Sequence, residues 1–580
     1  MLDIDSALSK QYPVLTNKHW LHKPLASTLK RLLNESDFQN FSQLYPHLKG
    51  IEFIDQVIDL FNVTYKFSAK EKERIPPSGR VVIIANHPIG SLDGLLLFKL
   101  IRDIRPDVKI VANHLLSQIT PLDSCLLPVN NMSGSTPKEN LQAIDSWLHN
   151  DGAIIIFPAG EVSRLKPSGV KDGKWHSGFL KIATKAHAPI LPIYVHARNS
   201  ALFYGTSMLY KPLSTLLLVK EMFKHENNQI EFRVGEAISY TTYSALSHLP
   251  KSTQIKLFHK HLYRIGKKKP GLLPTEVAIA HPEPRLELKA ALTHCESLGQ
   301  TPDGKHIYLY HYRDESPIMR EVGRLREVSF RSVGEGSGLR RDVDRYDRHY
   351  YHLVLWDPND LEIVGAYRFC DTKKLIAQYG QSELYSHSLF NYGDKMEPYL
   401  QNGLELGRSF IQPKYWGKRS LDYLWLGIGA FLAKNPQFRY LFGPVSISNS
   451  IPAPAKDLLI YFYRLYFGSA SNIAYSKQPY QLEDSILSEL KEKFEGNNYH
   501  RDLKQLKTLL SHFNVGIPTL YKQYSELCEY GGVQFADFNV DPEFANCVDG
   551  LVIVDLQSLK EKKRQRYITV HQHFNDNKLN

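Results

Sequence analysis

The stretch VVIIANHPIGSLDGLLL at residues 81–97 constrains this chain most. A β-branched apolar run ends at Asn86, a short polar turn carries His87 and Asp93, and a second apolar segment starts at Leu95. The β-branched run favours a buried strand, and the Leu-rich run after the turn favours a helix. Strand, turn and helix in that order open an α/β fold. The turn also brings an imidazole and a carboxylate together. An imidazole placed there takes a proton from a hydroxyl, with the carboxylate behind it. The pair comes without a catalytic serine pattern, so the substrate's own hydroxyl is the expected nucleophile, and acyl transfer to an alcohol is the expected chemistry. Capping of a strand-to-helix turn is the alternative use of the same two residues.

The alternation continues. Residues 108–113, 152–161, 189–197 and 230–238 read as strands; 93–104, 136–150 and 178–188 read as helices, with Thr136 as the N-cap of the second. Residues 14–63 carry helical apolar spacing only. Around 266–284 the composition shifts to GKKKPGLLP, which is linker chemistry. A second α/β order follows: a helix at 319–333, strands at 350–357, 362–370 and 403–411, a helix at 420–435 and a strand at 440–448. The expected organisation is a helical segment over 1–60, one α/β domain over 61–262, a linker over 263–300, a second α/β domain over 301–570 and a tail over 571–580.

Charge narrows the partners. With 71 basic and 60 acidic residues the formal charge is +11, which favours nucleic acid, anionic lipid or an acidic carrier protein. No nucleic-acid recognition motif accompanies it, so nucleic acid is not expected. The five cysteines are scattered without a Cys-x-x-Cys pair, which argues for a reducing compartment. No metal-ligand cluster stands out, so no metal or redox cofactor is expected. The first residues, MLDIDSALSKQYPVL, lack the apolar core of a signal peptide, and no apolar run reaches the ~18–20 residues that span a bilayer. The segment 201–219 is the most lipid-like, interrupted by Lys211 and Pro212; it reads equally as a surface-lying helix or a buried one.

Three further blocks accompany the His87 turn: LLPVNN at 126–131, FPAGEVSR at 157–164 and APILPIYV at 188–195. With NH(x)5D they resemble the glycerolphosphate-type acyltransferase superfamily over roughly residues 60–240. The resemblance implies His87 as general base, Asp93 as its orienting acid, and Gly160, Glu161 and Arg164 as acceptor-binding residues. Five residues separate His87 from Asp93 where the common pattern has four, and Ala159 stands where FPEG has Glu. Both variants resemble the haemolysin-related branch and point away from a phosphate-bearing acceptor.

The second half has its own constellation. Arg326 and Phe330 share a helix face, Asp344 and Asp347 follow in a loop, and Arg368, Glu405 and Arg408 lie on strands. Interleaved acids and arginines build a pocket for an α-amino acid, or else a set of structural ion pairs. The basic turn QPKYWGKRS, with Lys414, Gly417 and Lys418, opens a helix whose free amides suit the phosphopantetheine of an acyl donor. This half resembles the GNAT-related N-acyltransferases that make lyso-ornithine lipid from an acyl carrier protein, and more distantly the acyl-homoserine lactone synthases. The likeness implies direct attack of an amine on a thioester, with Glu405 as the candidate base.

The whole chain resembles the bifunctional ornithine lipid synthases. That implies N-acylation of ornithine by the C-terminal domain, using 3-hydroxyacyl carrier protein, and O-acylation of the lyso-ornithine lipid by the N-terminal domain. It also implies no cofactor beyond the carrier-bound donor, and a cytoplasmic protein peripheral on the inner face of the bacterial membrane. Glycine, lysine or glutamine as head group, or a lysophospholipid acyltransferase with a non-catalytic GNAT-like domain, are the alternatives.

Overall fold

A computed structural model describes residues 40–41, 43–113, 119–129, 136–167, 169–209, 218, 221–222, 224–469 and 472–571. The chain divides into two compact units, Met1–His281 and Pro282–Asn580.

The first unit is built from α1 (Gly50–Leu60), β1 (Thr64–Lys66), β2 (Val81–Ala85), α2 (Ser91–Arg102), β3 (Val108–Asn113), β4 (Leu126–Val129), α3 (Lys138–His149), β5 (Ala153–Ile156), α4 (Gly178–Ala186), β6 (Ile190–His196), α5 (Ala201–Leu209), β7 (Gln229–Val234) and α6 (Lys251–Ile265). Its seven strands run in the order β1-β7-β6-β2-β5-β3-β4. Only the β6–β7 pair is antiparallel. The central strands β2 and β5 are buried at every residue, as expected where helices cover both faces of a parallel sheet. Alternation decides which face each residue meets. Val81 and Ile83 join Leu96, Leu97 and Ile101 of α2, while Val82 and Ile84 join Phe179, Leu180 and Ala183 of α4. Arg105, with no exposed surface, ties the sheet's lower edge together through both oxygens of Asp107 (2.8 and 2.6 Å) and the carbonyls of Pro76 and Asp151.

Four stretches of this unit bear on the sequence reading, and only the N-cap differs from it. Residues 14–39 lie outside the described residues, and the rest of the helical segment is α1, whose Ile54 and Val57 belong to the first core. Thr64–Lys66 is a strand, held by parallel pairing to β7. The N-cap of α3 is Pro137 rather than Thr136, and no side chain caps it. In the segment 201–219, α5 accounts for the first part and 210–217 lie outside the described residues.

The second unit contains α7 (Arg285–Leu292), β8 (Glu296–Gln300), β9 (His306–His311), α8 (Pro317–Arg331), β10 (Tyr351–Asp357), β11 (Glu362–Asp371), α9 (Tyr385–Leu389), β12 (Gly403–Ile411), α10 (Ser420–Lys434), β13 (Tyr440–Ile447), α11 (Ala453–Phe467), β14 (Val533–Asp541) and β15 (Cys547–Asp555), besides shorter elements. The eight strands run β8-β9-β10-β11-β12-β13-β15-β14. Residues 285–300, which composition places in the linker, are α7 and edge strand β8. Leu288 and Leu292 bury against Ile318 and Val322 of α8, and β8 pairs with β9, so they are part of this unit's core. Among the described residues no helix is long and apolar enough to cross a membrane.

One feature of this sheet positions the site. The strands β12 and β13 are parallel and pair over three residues only, Gly403–Glu405 with Tyr440–Phe442. Beyond that they part. Gly443 marks the fork: a Cβ there would stand 2.0 Å from the Leu406 carbonyl oxygen.

Close packing elsewhere gives a direct test. A Cβ on Gly429 of α10 would meet the Tyr567 carbonyl oxygen at 1.8 Å, whereas among the described residues nothing lies within 4 Å of one on Gly205 of α5. Gly429→Ala is expected to lower stability by about 1–3 kcal/mol, as overpacking does. Gly205→Ala is expected to be neutral or to stabilise by about 0.5–1 kcal/mol. Urea unfolding of the full chain, followed through each unit's transition, measures both.

Candidate functional site

The first site sits at the end of β2. Asn86 is buried and locks the strand end to β6, donating from Nδ2 to the Val195 carbonyl (2.9 Å) and accepting from the Val195 amide (2.7 Å). The chain then turns through Gly90, at φ 96°, into α2. The turn places His87 Nδ1 2.7 Å from Asp93 Oδ1, with Asp93 fully buried and His87 partly exposed. The other Asp93 oxygen accepts the Ile89 amide at 2.9 Å, which fixes the carboxylate within its own turn. The Phe157 ring lies 4.2 Å from the imidazole, centre to centre. Burial disfavours the charged imidazolium, but the Asp93 carboxylate outweighs it, aided by Asp172, and holds His87 above its ordinary value. With Nδ1 engaged, Nε2 is the nitrogen left to meet a substrate hydroxyl.

The 157–164 block folds onto this turn. The Ser163 amide donates to the His87 carbonyl at 2.7 Å, and Gly160 turns at φ +63°. Glu161 lies over Gly173, where a Cβ would come 2.8 Å from its carboxylate. Arg164 is 4.0 Å from Glu161, donates to Ser207 Oγ at 2.7 Å and stacks 5.3 Å from the Phe203 ring. The Ser163 contact ties the block that carries Gly160, Glu161 and Arg164 to the His87 turn. Asp172 is the residue that the sequence pattern misses. Fully buried, it accepts the His87 amide (3.2 Å), Ser163 Oγ (2.5 Å) and Trp175 Nε1 (2.9 Å), and so positions the His87 turn from behind. A lone Asp in KDGKWH carries no spacing signal that would have found it.

The second site is a chain of buried charges. Asp347 has no exposed surface and holds Arg326 Nη1 (2.8 Å) and Arg368 Nη1 (3.0 Å) on one oxygen. Asp344 accepts Arg368 Nη1 at 2.6 Å and lies 3.6 Å from Arg408 Nη2. Burial alone would raise the Asp347 carboxyl, but Arg326 and then Arg368 hold it well below the usual carboxylate range. His352 completes the set. Burial pushes it down to about 4, so it is neutral, donating from Nε2 to the Asp347 carbonyl (3.0 Å) and accepting Arg326 Nη2 at Nδ1 (3.3 Å). The outer edge of Arg368 faces the Tyr350 and Tyr385 rings at 5.1 and 5.3 Å.

This network corrects part of the sequence reading. Arg326, Asp347 and Arg368 have no exposed surface and pair with one another, which places them behind the cavity wall, while Arg326 Nε and Arg368 Nε and Nη2 meet no hydrogen-bond partner among the described residues. A cavity of ≈ 210 Å³ opens beside them at the β12–β13 fork, and Phe330 and Arg408 line it. Glu405 does not. Its carboxylate accepts the Tyr350 hydroxyl and the Tyr385 (3.2 Å) and Ser386 (2.5 Å) amides at the start of α9, and it is 1% exposed. Its acceptor capacity anchors a helix terminus. Lys414 is tied to Asp360 (2.9 Å) and Glu362 (3.0 Å), and Lys418 lies over the Tyr415 ring. Gly417, at φ 73°, turns the chain into α10 as its spacing suggests. The acids that do line the cavity, Glu335 and Asp549, escape the sequence reading because neither belongs to a spaced motif.

A family model described as acyltransferase matches residues 8–268, and one described as an acetyltransferase (GNAT) domain matches 325–426. A glycine N(alpha)-acyltransferase of Bacteroides thetaiotaomicron is 31% identical over 294 residues, covering 48% of this chain and 86% of the relative. The chain belongs to this N(alpha)-acyltransferase family. A lyso-glycine lipid O-acyltransferase of Phocaeicola vulgatus is 25% identical over 252 residues, 42% of this chain and 88% of the relative. An L-ornithine N(alpha)-acyltransferase of Brucella abortus is 30% identical over 149 residues, 23% of this chain and 51% of the relative. The protein is thus an acyltransferase in which an acyltransferase domain precedes a GNAT domain, each an α/β unit.

The sign of the His87 shift sets a pH test. Stability from the His87–Asp93 pair is present below the ordinary imidazole range and is lost as pH rises through the raised value. Activity runs the other way, because a base must be neutral. O-acylation is expected to rise with pH through that raised value. Asp93→Asn is expected to move the rise to lower pH and to cut the rate by about 100-fold or more. A pH–rate profile of both forms measures it.

Proposed function

We propose that this chain makes an acylated amino-acid lipid in two successive steps. The GNAT domain N-acylates an α-amino acid with a 3-hydroxyacyl chain, and the first domain then esterifies the new 3-hydroxyl with a second acyl chain. The observation that carries this reading is the His87–Asp93 pair at 2.7 Å, an alcohol-activating base in a chain whose other half belongs to an N-acylating family. His87 Nε2 takes the hydroxyl proton as the oxygen attacks the thioester carbonyl, and Asp93 steadies the imidazolium that forms. In the second domain Arg408 offers a donor set for the amino acid's carboxylate. The turn at 414–419 offers its amides and Lys418 to the donor's phosphopantetheine.

The donor in this reading is acyl carrier protein, and the working place is the inner membrane face, where the lyso product resides. The +11 charge suits both an acidic carrier and an anionic leaflet. Ornithine is the head group that the motif resemblance implies. Glycine is a second reading, favoured by relatives of both halves that are covered over 86% and 88% of their length.

The test is a mass-spectrometric lipid profile of a host that lacks amino lipids and supplies 3-hydroxyacyl carrier protein. The intact chain is expected to yield a diacylated amino-acid lipid, and His87→Ala its monoacylated precursor, with the head-group mass separating ornithine from glycine. A diacylated product from His87→Ala, or no amino lipid from the intact chain, contradicts the reading.

A further inference from the structure

Asp549 lies on β15 at the floor of the β12–β13 fork and is 2% exposed. Ser446 Oγ donates to its Oδ1 at 2.7 Å, and among the described residues no donor meets Oδ2. It shares the ≈ 210 Å³ cavity with Arg408, Glu335, Phe330 and Tyr385. Arg408 adopts φ 51° where β12 bulges against β11, an unusual conformation for a non-glycine residue. Its guanidinium is sandwiched 4.4 Å from the Phe544 ring and 5.0 Å from the Tyr385 ring. Asp342 and Asp344 flank it at 3.5 and 3.6 Å. A cavity of this size, walled by aromatic rings and holding one fixed cation and two acids, suits a small zwitterion.

We propose that Asp549 is the proton acceptor for the amine in the N-acylation step and that Arg408 holds the same substrate's carboxylate, with the thioester carbonyl entering through the β12–β13 fork. The inference rests on the N-acylation reading above and names the residue that performs it. The balance is simple. The ammonium gives one proton to the Asp549 carboxylate. The free amine attacks the thioester carbon, so an N–C bond forms and the C–S bond breaks. The second amine proton goes to the departing thiolate sulfur, and Asp549 later releases its own to solvent.

The electrostatics support the role. Burial raises the Asp549 carboxyl to about 7, against the Ser446 hydrogen bond, with Asp541 adding to the rise and Arg408 opposing it. The other titratable groups that line the cavity are Glu335, raised to about 7 by burial and then by Asp549, and the tyrosines Tyr367, Tyr385 and Tyr524, with Asp541, Tyr521 and Cys547 electrostatically coupled from behind. An acid that ionises near neutrality can accept a proton from a substrate ammonium held against it in the cavity. Glu405, engaged at the α9 terminus, has no such opening.

The experiment measures N-acylation by the full chain, with glycine and ornithine in separate arms and a 3-hydroxyacyl carrier-protein thioester as donor, as kcat, KM and pH profile. Asp549→Asn is expected to lower kcat about 100-fold or more with a small change in KM for the amino acid, and Asp549→Glu to recover part of it. Ser446→Ala removes the bond that opposes the rise, so its activity should persist with the ascending limb moved to higher pH. It carries the test if Asp549→Asn does not fold. Wild-type kcat and limb in Asp549→Asn, or an unmoved limb in Ser446→Ala, overturns the assignment. No N-acyl product from the wild-type chain in either arm overturns the two-step reading itself, and so separates the two failures.

Discussion

A carboxylate with no exposed surface survives in a folded protein only if donors or cations meet it, because the interior solvates charge poorly. Each unit of this protein is organised around one. Asp93 has the imidazole of His87 on one oxygen and the Ile89 amide on the other. Asp347 has two arginines and the Asp344 amide. In the first unit the partner is partly exposed, so the buried charge is transmitted to a base that substrate can reach. In the second unit the two arginines on Asp347 are themselves buried, and the chain of charge comes to the surface farther out, at Asp344 and Arg408, which are 22% and 12% exposed. The same constraint therefore makes an exposed base in one domain and an anchored cation in the other.

The two sites fit one reaction sequence because their chemistries are ordered. A hydroxyl-activating dyad needs an alcohol, and a 3-hydroxyacyl amide supplies one only after the amine has been acylated. On the two-step proposal, joining both steps in one chain raises the effective concentration of the intermediate at the second site without any new contact. In the proposed reading the basic charge of the chain suits each half, since both would draw on anionic or carrier-borne substrates.

Much of the scaffold was legible in the sequence. The strands at 108–113 and 403–411 fall where β-branched and apolar runs end in Asn113 and begin at Gly403. The His87–Asp93 turn was legible because strand, turn and helix propensities agree over a few residues. The linker was overdrawn because lysines, prolines and glycines dominate that region, whereas Leu288 and Leu292 are fixed by distant contacts with α8. The proposed base of the second site was hidden for a sharper reason. Alternation along β12 sorts Glu405 and Arg408 to faces, but not which face opens, and the bulge at Arg408 breaks the alternation locally. Asp549 lies on β15, beside the edge strand β14 of its sheet, and the parting of β12 from β13 gives it a cavity.

The measurement that bears most directly on two separate centres in one chain is a reconstituted ester-forming assay. The purified full chain is given a synthetic N-(3-hydroxyacyl) amino acid and an acyl carrier-protein thioester, so that the amine step is bypassed. The account predicts that wild type and Arg408→Ala form the diacylated product at comparable rates, while His87→Ala forms none. Ester formation by His87→Ala, or its loss in Arg408→Ala with the first unit still folded, would contradict it.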